Sequence, residues 1–253
     1  MGTHDRVGQR MGKRQRMELR MKTLSIRWIG QNGYLLRDGD NEICIDPYLS
    51  NVVDRVAKRG RMVKAPFAPE ELKSNVTVCT HNHLDHVDID AIPLMKKENM
   101  IFLAPAHAKE TLMECGVTNY VPFDEGAVYQ IGDFKLTAVF ADHSVPAIGL
   151  IVEHGEYSLY FSGDTEYHER LCELVSKNID LMFICINGKL GNMNVDEAVK
   201  LTKIISPRIG IPTHYGMFES NTEDPQKYVS RLACGFEMKY NTEYSVKEIL
   251  DYV

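Results

Sequence analysis

Nowhere does this chain string together the roughly 18 apolar residues that a membrane-spanning helix needs, and no secretory hydrophobic segment stands near its start. A membrane partner is therefore not expected, and the chain reads as cytoplasmic. Cysteine is scarce and scattered: the six residues at 44, 79, 115, 172, 185 and 234 form no C-x-x-C pair. Cys44, Cys79 and Cys185 fall in apolar runs, as reduced core thiols do. The single tryptophan, Trp28, also sits in an apolar run and is expected in the core. No unit repeats at a solenoid period. A broad basic surface is missing too. The formal net charge is −6, and beyond residue 22 there are 22 basic residues against 33 acidic ones, which argues against an extended nucleic-acid interface.

Part of the basic charge is concentrated at the start. Residues 1–22 hold seven Lys/Arg against Asp5 and Glu18, with little apolar content, so a basic, disordered extension is expected there. It reads either as dispensable, with Met21 at a natural beginning, or as an arm for nucleic acid or a membrane surface. Residues 23–253 are long enough to bury the core of one domain. Strand-like segments are expected near 23–29, 33–37, 42–46, 76–80, 101–104, 127–131, 134–140, 148–153, 157–161, 180–186 and 208–211. Helix-like segments are expected near 88–98, 105–115, 166–177, 194–205 and 225–233. Composition alone implies only a mixed α and β protein; strands in hairpins with helices between them fit two packed sheets flanked by helices.

Against this background one hexapeptide stands out: His81-Asn82-His83-Leu84-Asp85-His86. Three imidazoles and a carboxylate within six residues form a dense nitrogen and oxygen donor set, suited to Zn²⁺, Mn²⁺ or Fe²⁺. It lies between the β-branched run Val76–Thr80 and Asp88, a good N-cap for a helix through Ile89, Ile92, Leu94 and Met95. Three further candidates, His143, Asp164 and His214, each follow an extended segment. Singly each is as consistent with a structural role; their order along the chain is the stronger signal.

That order resembles the metallo-β-lactamase-fold hydrolase superfamily, from about Leu24 to the C-terminus. The resemblance implies an α/β fold of the αββα type, with two mixed β-sheets packed face to face and helices outside. It also implies a hydrolase carrying two divalent metal ions, Mn²⁺ or Zn²⁺, with Fe²⁺ a further option. His81, His83 and His143 would hold one ion, Asp85, His86 and His214 the other, and Asp164 would bridge them. Asp85 and Asp164 would be the catalytic carboxylates, and Asp46, in Ile43-Cys44-Ile45-Asp46-Pro47, would orient a ligand imidazole.

Finer similarity is to the L-ascorbate-6-phosphate lactonase branch. It rests on Phe161-Ser162-Gly163-Asp164-Thr165-Glu166-Tyr167, on the loop Asn187–Met193 leading into a helix, and on Ile211-Pro212-Thr213-His214-Tyr215. The implied reaction is metal-assisted opening of a phosphorylated sugar lactone, with an anionic small molecule as substrate. A dianionic phosphate needs cationic or N–H donors. Arg55, Lys58, Arg59, Arg61 and Lys64 crowd one loop without an intervening acid. Arg59, Arg61, Asn187, Lys189 and Tyr215 are therefore the candidate substrate-binding residues, although the basic loop reads more simply as a solvated surface face. Phosphodiester or RNA hydrolysis by the same metal pair is the enzymatic alternative, and a non-catalytic metal-binding protein is the other. Homo-oligomerisation is the common default for soluble enzymes.

Overall fold

The computed structural model describes residues 23–252; the extension expected at residues 1–22 lies outside the described residues. Three antiparallel strands open the domain: β1 (Ser25–Gly30), β2 (Gly33–Arg37) and β3 (Glu42–Ile45). Beyond β3 run β4 (Val76–Val78), β5 (Ile101–Ala104) and β6 (Tyr120–Pro122), parallel to it and to one another. With β13 (Glu243–Ser245) on the far edge they make a seven-stranded sheet in the order β13-β1-β2-β3-β4-β5-β6. The second sheet has six strands. β7 (Val128–Ile131), β8 (Phe134–Phe140), β9 (Ile148–His154) and β10 (Tyr157–Phe161) are antiparallel, and β11 (Leu181–Cys185) and β12 (Ile209–Thr213) continue it in parallel.

Alternation along the strands packs the two sheets face to face. Tyr34 and Leu36 of β2 and Ile43 and Ile45 of β3 enter a core shared with Leu136, Leu150, Leu159 and Phe183 of the second sheet. Leu35 and Cys44, one residue out of phase, point to the opposite face. At the centre Phe161 and Phe183 stack 4.4 Å apart, and the Tyr34 ring lies 4.8 Å from Phe183. The outer face of the first sheet is covered by Ala91, Ile92, Met95 and Leu112, the last on α2 (Lys109–Glu114). The second sheet is covered by a 3₁₀ helix (Glu169–Lys177) and by α3 (Val195–Ile205). Asn194 and Glu197 close α3 with a reciprocal capping box. This is the αββα sandwich that the sequence implies. No helix among the described residues is long and apolar enough to cross a membrane.

Some elements differ from expectation. The helix expected over 88–98 is a single 3₁₀ turn, Ile92–Leu94. Pro93 is tolerated only in the first turn of a helix, so none can run through from Asp88. The Asp88 carboxylate does accept from the amides of Asp90 and Ala91, but it also accepts from the amides of Leu49 and Ser50, tying two loops together. The segment 166–177 forms a 3₁₀ rather than an α helix, and the helix expected over 225–233 shrinks to α4 (Gln226–Val229). β6 and β13, three residues each, and two short helices, α1 (Val52–Ala57) and α5 (Val246–Leu250), have too few residues to show a period.

Because Phe183 is fully buried between Phe161 and Tyr34, Phe183→Ala should cost about 3–5 kcal/mol of stability in urea unfolding. A loss below about 1 kcal/mol would mean that the sheets close over the gap.

Candidate metal centre

The chain ends of four strands meet along one rim of the sandwich. β4 runs into Thr80 and His81, β8 into His143, β10 into Asp164 and β12 into His214. The backbone N–H groups of His86 and Val87 both donate to the His83 carbonyl, curling the hexapeptide into one tight turn. His214 itself adopts a left-handed conformation, φ +60°, at the turn that follows β12. Gly163 sits where a Cβ would lie 2.9 Å from the Ile148 carbonyl oxygen, so only glycine lets β10 pass into Asp164.

Two donor groups result. His83 Nδ1 lies 3.0 Å from His81 Nε2 and 3.2 Å from His143 Nε2. In the second group, His86 Nε2 and His214 Nε2 lie 3.9 and 3.7 Å from Asp85 Oδ2. Asp164 stands between the groups, with Oδ1 3.4 Å from His86 Nε2 and Oδ2 3.2 Å from His214 Nε2. Each of the sets His81/His83/His143, His81/His86/Asp164 and Asp85/His86/His214 brings its donor atoms within 4.8 Å of one another. All seven residues singled out from the sequence are thus assembled at one place.

The chemistry of this donor set fits divalent metal ions. Three imidazole nitrogens face one another at hydrogen-bond distance, although neutral imidazole carries only one N–H. His86 Nε2 is buried with no hydrogen-bond partner. Burial, reinforced by the neighbouring imidazoles, holds His81 well below the usual histidine range and lowers His83 as well. Both shifts favour the neutral imidazole that ligation requires. Burial works against protonation of His86, but Asp46, Asp164 and Asp85 outweigh it and hold its pKa well above the usual range. Burial likewise opposes ionisation of Asp164, and the His214 and His86 imidazoles prevail, keeping it well below the usual carboxylate range.

The neighbours of these ligands set their orientation. Asp46, fully buried, pairs through Oδ2 with His86 Nδ1 at 2.8 Å and accepts from the Thr80 amide and hydroxyl. His143 Nδ1 lies 2.9 Å from the Gly191 carbonyl oxygen, leaving Nε2 turned toward His83. A Cβ on residue 191 would come within 2.7 Å of that ring, and its φ is +85°, so the contact needs glycine. Two site residues escape the sequence reading. Gln31 Nε2 donates to Asp85 Oδ2 at 2.8 Å, and Asn32 Nδ2 donates to Asp164 Oδ1 at 2.6 Å. The only signal for them is a Gln-Asn pair between Gly30 and Gly33, where a hairpin turn alone needs no buried amides.

A cavity of about 470 Å³ opens above the donors. His83, Asp85, Asp164 and His214 form its floor, and Arg59, Ser144 and Asn221 reach its wall beside apolar side chains. Of the five expected substrate-binding residues, only Arg59 lines it. Arg61 donates to the carbonyls of Tyr48, Ser50 and Val63 and stacks on the Tyr48 ring, so it holds its own loop. Lys189 Nζ donates to the Ser220 carbonyl. Asn187 lies behind the wall, donating to Asn221 Oδ1 and the Lys189 carbonyl. Tyr215 packs in the core with its ring 4.8 Å from Trp28, which claims the side chain for burial. Of the other basic residues in the loop, Arg55 pairs with Asp90.

A family model described as Beta-lactamase superfamily domain matches residues 41–215. A UPF0173 metal-dependent hydrolase of Thermoplasma acidophilum is 30% identical over 217 residues, covering 82% of this chain and 90% of that protein. One of Methanosarcina mazei is 28% identical over 235 residues, covering 87% and 95%. Among solved structures, Igni18, a metallo hydrolase from the archaeon Ignicoccus hospitalis, superposes with a TM-score of 0.70 at 20% identity, over 88% of this chain and 97% of that one.

Asp46→Asn would place an amide against His86 Nδ1 and favour the tautomer that carries its proton on Nε2. Affinity for Zn²⁺ or Mn²⁺ at the Asp85/His86/His214 set should fall by about 10–100-fold, read by calorimetric titration. Unchanged affinity in a variant with native circular dichroism would refute this orienting role.

Proposed function

The chain belongs to the beta-lactamase superfamily and is a metal-dependent hydrolase of that fold, and from this premise we propose that it opens a lactone or carboxylic ester. In this reading His81, His83 and His143 would hold one divalent ion and Asp85, His86 and His214 a second, with the Asp164 carboxylate shared between the two sets. The observation that carries it is the convergence of seven nitrogen and carboxylate donors at one place, with His83, Asp85, Asp164 and His214 among them forming the floor of a substrate-sized cavity. Mn²⁺, Zn²⁺ or Fe²⁺ held there would polarise a carbonyl and make a water acidic enough to attack it near neutral pH.

The chain's own residues divide the remaining work. Asp85 is the more accessible carboxylate, its side chain 17% exposed against 6% for Asp164. It is the one able to take a proton from the attacking water and hand it to the leaving alkoxide. Gln31 Nε2 restrains one Asp85 oxygen, and Asn32 does the same for Asp164. Arg59 on the cavity wall offers one cationic contact to an anionic substrate. A phosphorylated sugar lactone such as L-ascorbate 6-phosphate would find that single cation, so the proposal rests on the bond that is opened rather than on the phosphate.

Asp85→Asn, assayed with bound metal measured in parallel, should lower kcat on a lactone by at least about 100-fold with little change in thermal midpoint. A variant that keeps full activity and full metal content would remove Asp85 from the proton-transfer role. His81→Ala should abolish turnover together with metal retention, on L-ascorbate 6-phosphate and on simple lactones alike; turnover without bound metal would overturn the metal-dependent reading.

A further inference from the structure

Resting on the hydrolytic reading above, we propose that the cavity selects substrates bearing an unbranched alkyl chain on the lactone or ester, rather than polyhydroxylated ones. Three observations carry this. First, the wall is apolar: Val53, Ala57, Leu84, Leu190 and Phe218 line it above the donor floor. Second, that wall is packed in advance. Val53 and Phe218 belong to a separate buried cluster with Tyr48, Val52 and Met217, and Leu84 packs against it. This cluster stands apart from the core between the sheets, and its inner side faces the site.

Third, Leu190 stands at the lip, 56% exposed, in a left-handed conformation with φ +57°. A leucine there gives up both local preference and burial. Contact with an apolar ligand would restore the burial. The polar side of the wall is thin. Asn221 Oδ1 already accepts from Asn187, which leaves Arg59, Ser144 and the Asn221 amide nitrogen as the side-chain groups of the wall that can meet a substrate's polar atoms. A sugar bringing several hydroxyls into this space would leave most of them unpaired, which weighs against its binding. An alkyl chain asks for nothing the wall lacks. Arg59 would meet the one polar group of such a substrate that lies away from the floor.

The test uses the full, metal-loaded chain with a series of γ-lactones whose tails run from methyl to heptyl, and L-ascorbate 6-phosphate as the polar comparator. kcat/KM should rise about fourfold per added methylene until the cavity is full, and Leu190→Asp should flatten that slope. Binding of straight-chain alkanoates from butanoate to decanoate, measured calorimetrically on the same proteins, reads the wall without requiring turnover. Lactone turnover that is flat with tail length, or greatest on L-ascorbate 6-phosphate, overturns the alkyl proposal and leaves the hydrolase standing. No turnover, with alkanoate affinity that climbs with length and loses the climb in Leu190→Asp, keeps the apolar wall and overturns the lactone reading. No turnover and no dependence on length overturns both.

Discussion

A carboxylate with no access to water must find compensation among neighbouring donors or lose its charge, and the way Asp46 meets that demand organises the site. It stands just past the end of β3 with φ +42°, a left-handed conformation that a short polar side chain tolerates better than most. Its two oxygens take the amide and hydroxyl of Thr80 and the Nδ1 of His86. One side chain thereby links a strand of the first sheet, the exit of β4 and a donor imidazole. The hexapeptide is a loop, and a loop by itself would scatter its donors. Asp46, with the fully buried Asp88 gripping Leu49 and Ser50 on the other side of the turn, gives that loop the rigidity of the sheet beneath it.

The same economy governs the rest of the rim. Asn32 reaches Asp164, and the Thr213 hydroxyl donates to the Gln31 carbonyl, so the β1–β2 turn is pinned to the end of β12 across the gap between the sheets. The two sheets are held apart by the aromatic stack of Tyr34, Phe161 and Phe183 and drawn together at the rim by these amides and hydroxyls. Packing sets the spacing, and polar contacts set the aim of the donors.

The strands that carry the donors were legible because each is a run of apolar or β-branched residues closed by a polar one: Val76–Val78 before His81, Tyr157–Phe161 before Asp164, Ile209–Thr213 before His214. Three donors and a carboxylate in six residues need no structure to be noticed. Asp46 is legible too, from the strand it ends. Gln31 and Asn32 are not. They occupy a turn, where exposed amides are ordinary, and their burial depends on β12, more than 180 residues away. Tyr215 and Arg61 mislead for the opposite reason. Proximity in sequence to a donor or a basic cluster says nothing about which way a side chain turns, and both turn inward to pack. The missing helix after Asp88 follows from Pro93, whose effect is visible in the sequence once the position of the first helical turn is known.

The loop 188–191 does two things with adjacent residues: the Gly191 carbonyl sets the orientation of His143, while the side chain of Leu190 forms the lip of the cavity. What enters the site and how one donor is held are thus bound into a single stretch of backbone. Such a loop cannot be exchanged wholesale for another of similar length without disturbing both. A change in what the cavity accepts is cheapest as a side-chain replacement at position 190, because the backbone at 191 is tied to His143.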